Sequence, residues 1–165
     1  MKSGIDPDEL KARRELLLAN IAEQKLDGYV LFDEQYIQYF TSFGFLATER
    51  PVAFAGSASG ELIVFVPEFE VERVREETDF EHVESYPEYP GLEHPMRILA
   101  RVLESGGRRR VGADSDGYPG ILGYAGPALS EVLGNAVTPL APFVESLMVR
   151  KSPAEVELIR ESARW

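Results

Sequence analysis

The stretch "LDGYVLFD", residues 26–33, decides the fold. Asp27-Gly28 reads as the end of a helix, with Gly28 free to take the positive φ that closes many helices. Tyr29-Val30-Leu31-Phe32 follows, apolar at four consecutive positions, the pattern of a short strand covered on both faces. A helix leading within a few residues to such a strand predicts a layered α/β domain.

On the amino-terminal side, Asp6-Pro7-Asp8-Glu9 opens the first helix. Asp6 caps it, Pro7 fits its first turn and Glu9 completes a capping box, while Leu10, Leu17 and Ile21 supply an apolar stripe. On the other side, Asp33 caps a second helix reaching to Phe43, which Gly44 breaks. Pro51–Ala55 and Glu61–Val66 read as strands joined by the loop Gly56–Gly60. Glu68 to Glu77 reads as a helix with Phe69 and Val74 turned inward. His82–Tyr86 is a further strand, and a helix around Met96–Leu103 stops at Ser105-Gly106-Gly107. Arg110–Ala113 is a fifth strand, Pro127–Leu133 a short helix, and Val137–Leu140 an edge strand, where proline is tolerated. The expected fold is a three-layer α/β domain with a mixed, roughly six-stranded sheet flanked by helices.

The 165 residues suit one domain, and 44% hydrophobic with 10% aromatic residues excludes disorder. No apolar run approaches a membrane span, and Met1-Lys2-Ser3-Gly4-Ile5-Asp6 lacks a signal-peptide core, so a cytoplasmic location is expected. The absence of cysteine excludes disulfides and thiolate chemistry. With 28 acidic against 17 basic residues the formal net charge is −11, which argues against nucleic acid as partner. The acids are scattered, as in a solubility adaptation.

No constellation amounts to a self-contained active site. His82 and His94, the only histidines, are too far apart in sequence to share a helix face as a metal pair. Asp114-Ser115-Asp116-Gly117 could begin a calcium or magnesium loop but lacks the downstream ligands, and reads as a polar turn. Gly117, Gly120, Gly123 and Gly126 match no phosphate-binding fingerprint. Gly56–Gly60 is a hairpin loop, not a nucleophile elbow. Arg108-Arg109-Arg110 offers an anion site or, more simply, a solvated edge. Thr48-Glu49-Arg50, after the aromatic Phe43-Gly44-Phe45, lines either a pocket or a surface loop with a weak local ion pair. The last helix opens well, with Ser152 as cap, Pro153 in the first turn and Glu155 reaching back, yet no stop signal precedes Trp165. This predicts a chain cut in mid-element, with one domain over 1–147 and the start of another over 148–165.

Segment by segment, the sequence resembles the N-terminal domain of the creatinase/prolidase/aminopeptidase P family. The stretches that carry the resemblance are "RRELLLANIAEQKLDGYVLFD", "QYIQYFTSFGF", "ERPVAFAGSASGELIVFVPEFEVERV", "RRRVGAD" and "LMVRKSPAEVELIRESA". The last is the most specific, being similar to the family's passage into its catalytic domain.

The resemblance implies a non-catalytic domain of a metal-dependent Xaa-Pro aminopeptidase or dipeptidase, serving dimer assembly and substrate gating. Its partners would be its own catalytic domain, a second copy of itself and short peptide substrates. Two divalent metal ions, manganese or cobalt, are expected in the catalytic domain, with no catalytic or metal-ligating residue in this chain. Phe43, Phe45, Thr48, Glu49 and Arg50 are the candidates for substrate gating. The alternatives are a binding module of a catalytically inactive parent and the N-terminal domain of a creatinase-like hydrolase of small amides.

Overall fold

A computed structural model describes residues 4–164, so Met1, Lys2, Ser3 and the Trp165 that ends the last expected helix lie outside the described residues. Six strands form one sheet: β1 (Gly28–Leu31), β2 (Ala53–Ser57), β3 (Leu62–Pro67), β4 (Val83–Tyr86), β5 (Val111–Ala113) and β6 (Thr138–Pro139), in the order β4-β3-β2-β1-β5-β6. β2 is antiparallel to both neighbours, whereas β3–β4, β1–β5 and β5–β6 pair in parallel. Five strands therefore run one way and β2 alone runs back. The mixed sheet and its flanking helices are the expected fold.

The helices are α1 (Pro7–Glu23), α2 (Glu34–Thr41), α3 (Val71–Glu77), α4 (Pro95–Ser105), α5 (Leu129–Leu133), α6 (Ala141–Val149) and α7 (Pro153–Ser162). Alternating side chains of the central strands divide between two cores. Tyr29, Leu31, Phe54, Val64 and Val66 face α1, α2, α3 and α6 through Leu17, Ile21, Ile37, Phe40, Val74 and Val144. Val30, Phe32, Ala55, Ile63 and Phe65 face α4 and α5 through Met96, Leu99, Leu103, Leu129 and Leu133. The four positions of β1 are all buried, as its unbroken apolar run demands.

Several local expectations change. Asp6 caps α1, accepting from the Asp8 amide at 2.8 Å, but Glu9 turns to Arg13 one helical turn on. The left-handed residue closing α1 is Lys25, at φ 56°. Gly28 instead opens β1, with a glycine because neighbours crowd it. A Cβ there would lie 2.5 Å from the Gly56 carbonyl oxygen and 2.9 Å from Cδ of Arg108. Likewise α2 ends on Ser42, at φ 59°, before Gly44. Phe69 is not inward: a 3-10 turn over Glu68–Glu70 precedes α3 and leaves its ring 66% exposed, while Val74 is fully buried. Helix α6, which the sequence did not suggest, packs Phe143, Val144, Leu147 and Met148 onto the first core.

The arginine triplet is not a solvated edge throughout. Arg108 is 1% exposed, running beneath the sheet between Gly28 and Gly106 to an ion pair with Glu61, and it donates to the Val102 carbonyl. Arg110 binds Asp27, 2.9 Å away, and its side-chain hydrogen bond holds that carboxyl down at about 2.

Candidate functional site

Because five strands share one direction, the exits of β1, β3, β4 and β5 open on one rim of the sheet, where residues 42–52 also enter β2. Carboxyl ends of parallel strands are where open α/β sheets place ligands. Residues 43–50 cross this rim, held at several points. Phe43 is fully buried, its ring stacked on Phe45 at 5.8 Å and covered by the Arg73 guanidinium at 4.8 Å. Arg73 also donates to the Gly44 carbonyl. Glu34, in the first turn of α2, accepts from the Ala47 amide at 3.1 Å. The Tyr118 hydroxyl donates to the Thr48 carbonyl at 3.0 Å, and the Tyr86 hydroxyl to the Pro51 carbonyl at 2.9 Å. Burial pushes the Tyr118 phenol up to about 12, so it stays a donor throughout the neutral range.

Between this segment and the 3-10 turn lies a groove of about 280 Å³, lined by Phe45, Thr48, Glu49, Arg50, Phe69 and Arg73 among others. The Thr48 hydroxyl accepts from the Arg50 amide at 3.2 Å, fixing the turn from which Glu49 and Arg50 project. Their side chains pair at 3.6 Å, both partly exposed, so the pair itself is worth little. The Arg50 guanidinium stands 5.7 Å from the Phe69 ring centre, and Leu46 beside it is 81% exposed. Of the five candidate residues, the structure brings Phe45, Thr48, Glu49 and Arg50 to one groove. Phe43 lies beneath it as an anchor.

Sequence reading missed Arg73, Phe69 and Tyr118 as parts of this site. Arg73 and Phe69 lie in a segment whose helical spacing was legible while its opening 3-10 turn was not. Tyr118 lies in a glycine-rich loop with no periodicity. The groove offers recognition groups (a guanidinium, carboxylates, aromatic rings) without a nucleophile and base in hydrogen-bond reach. Removing the hydroxyl with Tyr118→Phe is expected to cost about 1 kcal/mol and to speed amide exchange over residues 46–50. Unchanged exchange there would show that the bond does not hold the segment.

Asp114, at the exit of β5, accepts from the amides of Phe32 (2.9 Å), Asp33 (2.7 Å) and Ser115 (2.9 Å), so it clamps the exit of β1. Burial, opposed by these bonds, pushes its carboxyl up to about 6. Asp116 accepts from the Ser130 amide at 2.7 Å, at the start of α5. Both carboxylates of the Asp114–Asp116 turn thus serve the chain itself, in keeping with a polar turn. Among the described residues no three His, Cys, Asp or Glu side chains come together as a group able to hold a metal ion. The metal pair that the resemblance implies is expected in the catalytic domain, not among these residues.

A family model described as the creatinase/prolidase N-terminal domain matches residues 13–147. The chain belongs to that family. No curated protein sequence matches it. Among solved structures, this creatinase/prolidase N-terminal domain is similar to a proline dipeptidase of Streptococcus pneumoniae, at 28% identity and a TM-score of 0.67, over 83% of this chain and 97% of that one. It shares its fold with the N-terminal domain of an Xaa-Pro dipeptidase of Lactobacillus brevis (21% identity, TM-score 0.63, over 82% of this chain and 98% of that one). An Xaa-Pro dipeptidase of Bacillus anthracis also shares the fold (18% identity, TM-score 0.71). The match covers 92% of this chain but only 39% of the Bacillus chain. Among the described residues no helix is long and apolar enough to cross a membrane.

Proposed function

We propose that this chain is the non-catalytic N-terminal domain of a metal-dependent Xaa-Pro peptidase, contributing dimer assembly and substrate gating. The observation that carries the reading is the family match over 13–147, joined to the similarity with a proline dipeptidase at 28% identity. Residues 1–147 form the domain, and 148–165 are the linker and the opening of the first helix of a catalytic domain. That domain holds two divalent ions, manganese or cobalt, and the parent protein is cytoplasmic. Phe45, Thr48, Glu49 and Arg50 face the substrate path from the carboxyl rim, on a segment that Phe43 anchors. A rim fixed by Tyr118, Tyr86 and Arg73 supports this, because a gate that selects by size has to hold its shape.

The test compares the parent protein with the 165-residue chain on peptides bearing an X-Pro bond. The parent, loaded with manganese or cobalt, is expected to cleave them, and the chain alone to be inert. In the parent, Arg50→Ala is expected to shift KM roughly three- to tenfold with kcat little changed, as for a group that contacts substrate without joining the chemistry. Cleavage by the chain alone overturns the reading. A parent that binds proteins but cleaves nothing points to a binding module, and one that cleaves only small amides points to a creatinase-like enzyme.

A further inference from the structure

Helix α7 stands against the domain without burying any residue among those described: Val156 and Leu158 are half-buried and Ile159 is 55% exposed. Burial of apolar surface, which fixes most helices, is therefore a weak constraint here. Its first turn is different. Glu155 closes a capping box, its carboxylate accepting from the Ser152 amide at 2.8 Å while the Ser152 hydroxyl accepts from the Glu155 amide at 3.1 Å. The same carboxylate oxygen lies 3.4 Å from the Arg13 guanidinium of α1. Arg13 is 6% exposed, an unusual place for a cation. It donates to the Tyr39 carbonyl at 2.9 Å, pairs with Glu9 and lies over the Tyr39 ring at 4.0 Å. Arg13 is thus held by α1 and α2 before it meets α7, so it presents a fixed charge to which the helix must orient.

We infer that Arg13 is a latch that sets the direction in which α7 leaves the domain, with the Glu155 carboxylate as its catch. One carboxylate both starts the helix and docks it, so starting α7 and orienting it are a single event. A planar guanidinium can serve Tyr39, Glu9 and Glu155 together, whereas an ammonium presents a point charge without that fork. The latch stands on this chain alone, whether or not a peptidase follows it.

Amide hydrogen exchange on the 165-residue chain tests it. Glu155→Gln keeps a side-chain acceptor for the Ser152 amide, since glutamine also serves in capping boxes, and removes the charge that Arg13 faces. The amides of residues 157–162 are expected to exchange roughly three- to fivefold faster, the scale of one partly buried ion pair, while sheet amides keep their rates. Arg13→Lys is expected to give the same local rise, and the double variant no more than either single one. Unchanged α7 amides in Glu155→Gln overturn the latch, as does a rise of equal size in the sheet, which signals general destabilisation. Because no peptidase activity is measured, a failed latch and a failed functional reading remain distinguishable.

Discussion

Gly28→Ala is expected to lower the melting temperature of the domain by roughly 6–12 °C, the equivalent of about 3 kcal/mol for a chain of this size. The added methyl would sit 2.5 Å from the Gly56 carbonyl oxygen, on the central strand pair, and 2.9 Å from Cδ of Arg108. Neither neighbour has room to yield. The carbonyl belongs to the β1–β2 pairing, in which Gly28 stands opposite Ser57 and Tyr29 opposite Gly56. Arg108 is confined between Gly28 and Gly106 and tied to Glu61. Displacing it leaves a buried cation short of its partner, the costliest outcome available at this site. Gly120→Ala is the control, because no atom lies within 4 Å of its added carbon. Thermal unfolding of both variants checks the effect, and equal melting temperatures would rule out the crowded-channel account.

Asp114→Asn is expected to alter the pH dependence of stability more than its level at any single pH. The folded carboxyl titrates near 6, above its ordinary 3.8, with burial as the largest cause. A raised carboxyl favours the folded state fully below pH 4, and that contribution fades as pH rises through 6. The shift, discounted for the partial exposure of the residue, corresponds to on the order of 2 kcal/mol. The difference in unfolding free energy, wild type minus Asp114→Asn, should therefore fall by that amount between pH 4 and pH 7. Asparagine has one acceptor oxygen for the amides of Phe32, Asp33 and Ser115, so a constant cost of about 1 kcal/mol rides on the trend. Urea titrations at four or five pH values measure both. Parallel curves for the two proteins would show that this carboxyl is not the titrating group.

The layered fold was legible from the sequence because its signals are local and strong. Tyr29–Phe32 reads as a strand with both faces covered, which the structure shows one residue earlier, at Gly28–Leu31, and Ser152-Pro153-Ala154-Glu155 carries every feature of a helix start, which the structure shows. What escaped depends on contacts between distant residues. Gly28 reads as a helix stop unless the later chain is known to lay Arg108 across it. Arg13, Arg14 and Arg108 are charged residues, and nothing in their own neighbourhood announces burial. Their partners Tyr39, Asp79 and Glu61 stand 26, 65 and 47 positions away. Helix α6 begins without a side-chain cap, its amino end resting on Leu140, so Pro142 in its first turn is left to mark the start without a capping residue. At the candidate groove, Glu49 and Arg50 were visible as a pair beside aromatics. The walls that Phe69 and Arg73 supply come from another segment, beyond the reach of spacing.

The lone reversed strand has a consequence for how the fold can diverge. With β2 turned against the other five, the stretches at 43–52, 67–70, 87–94 and 114–128 all gather at one end. A lineage can lengthen, trim or restyle their exposed parts at little cost to the backbone pairings, because turns outside a sheet absorb such edits cheaply, while Phe43 and Asp114 stay as anchors. At the other end, the enclosed Arg108 and the two glycines packed against it have no such latitude. Variation among members should accumulate on the first end and be scarce on the second, giving the domain one inventive side and one conservative side.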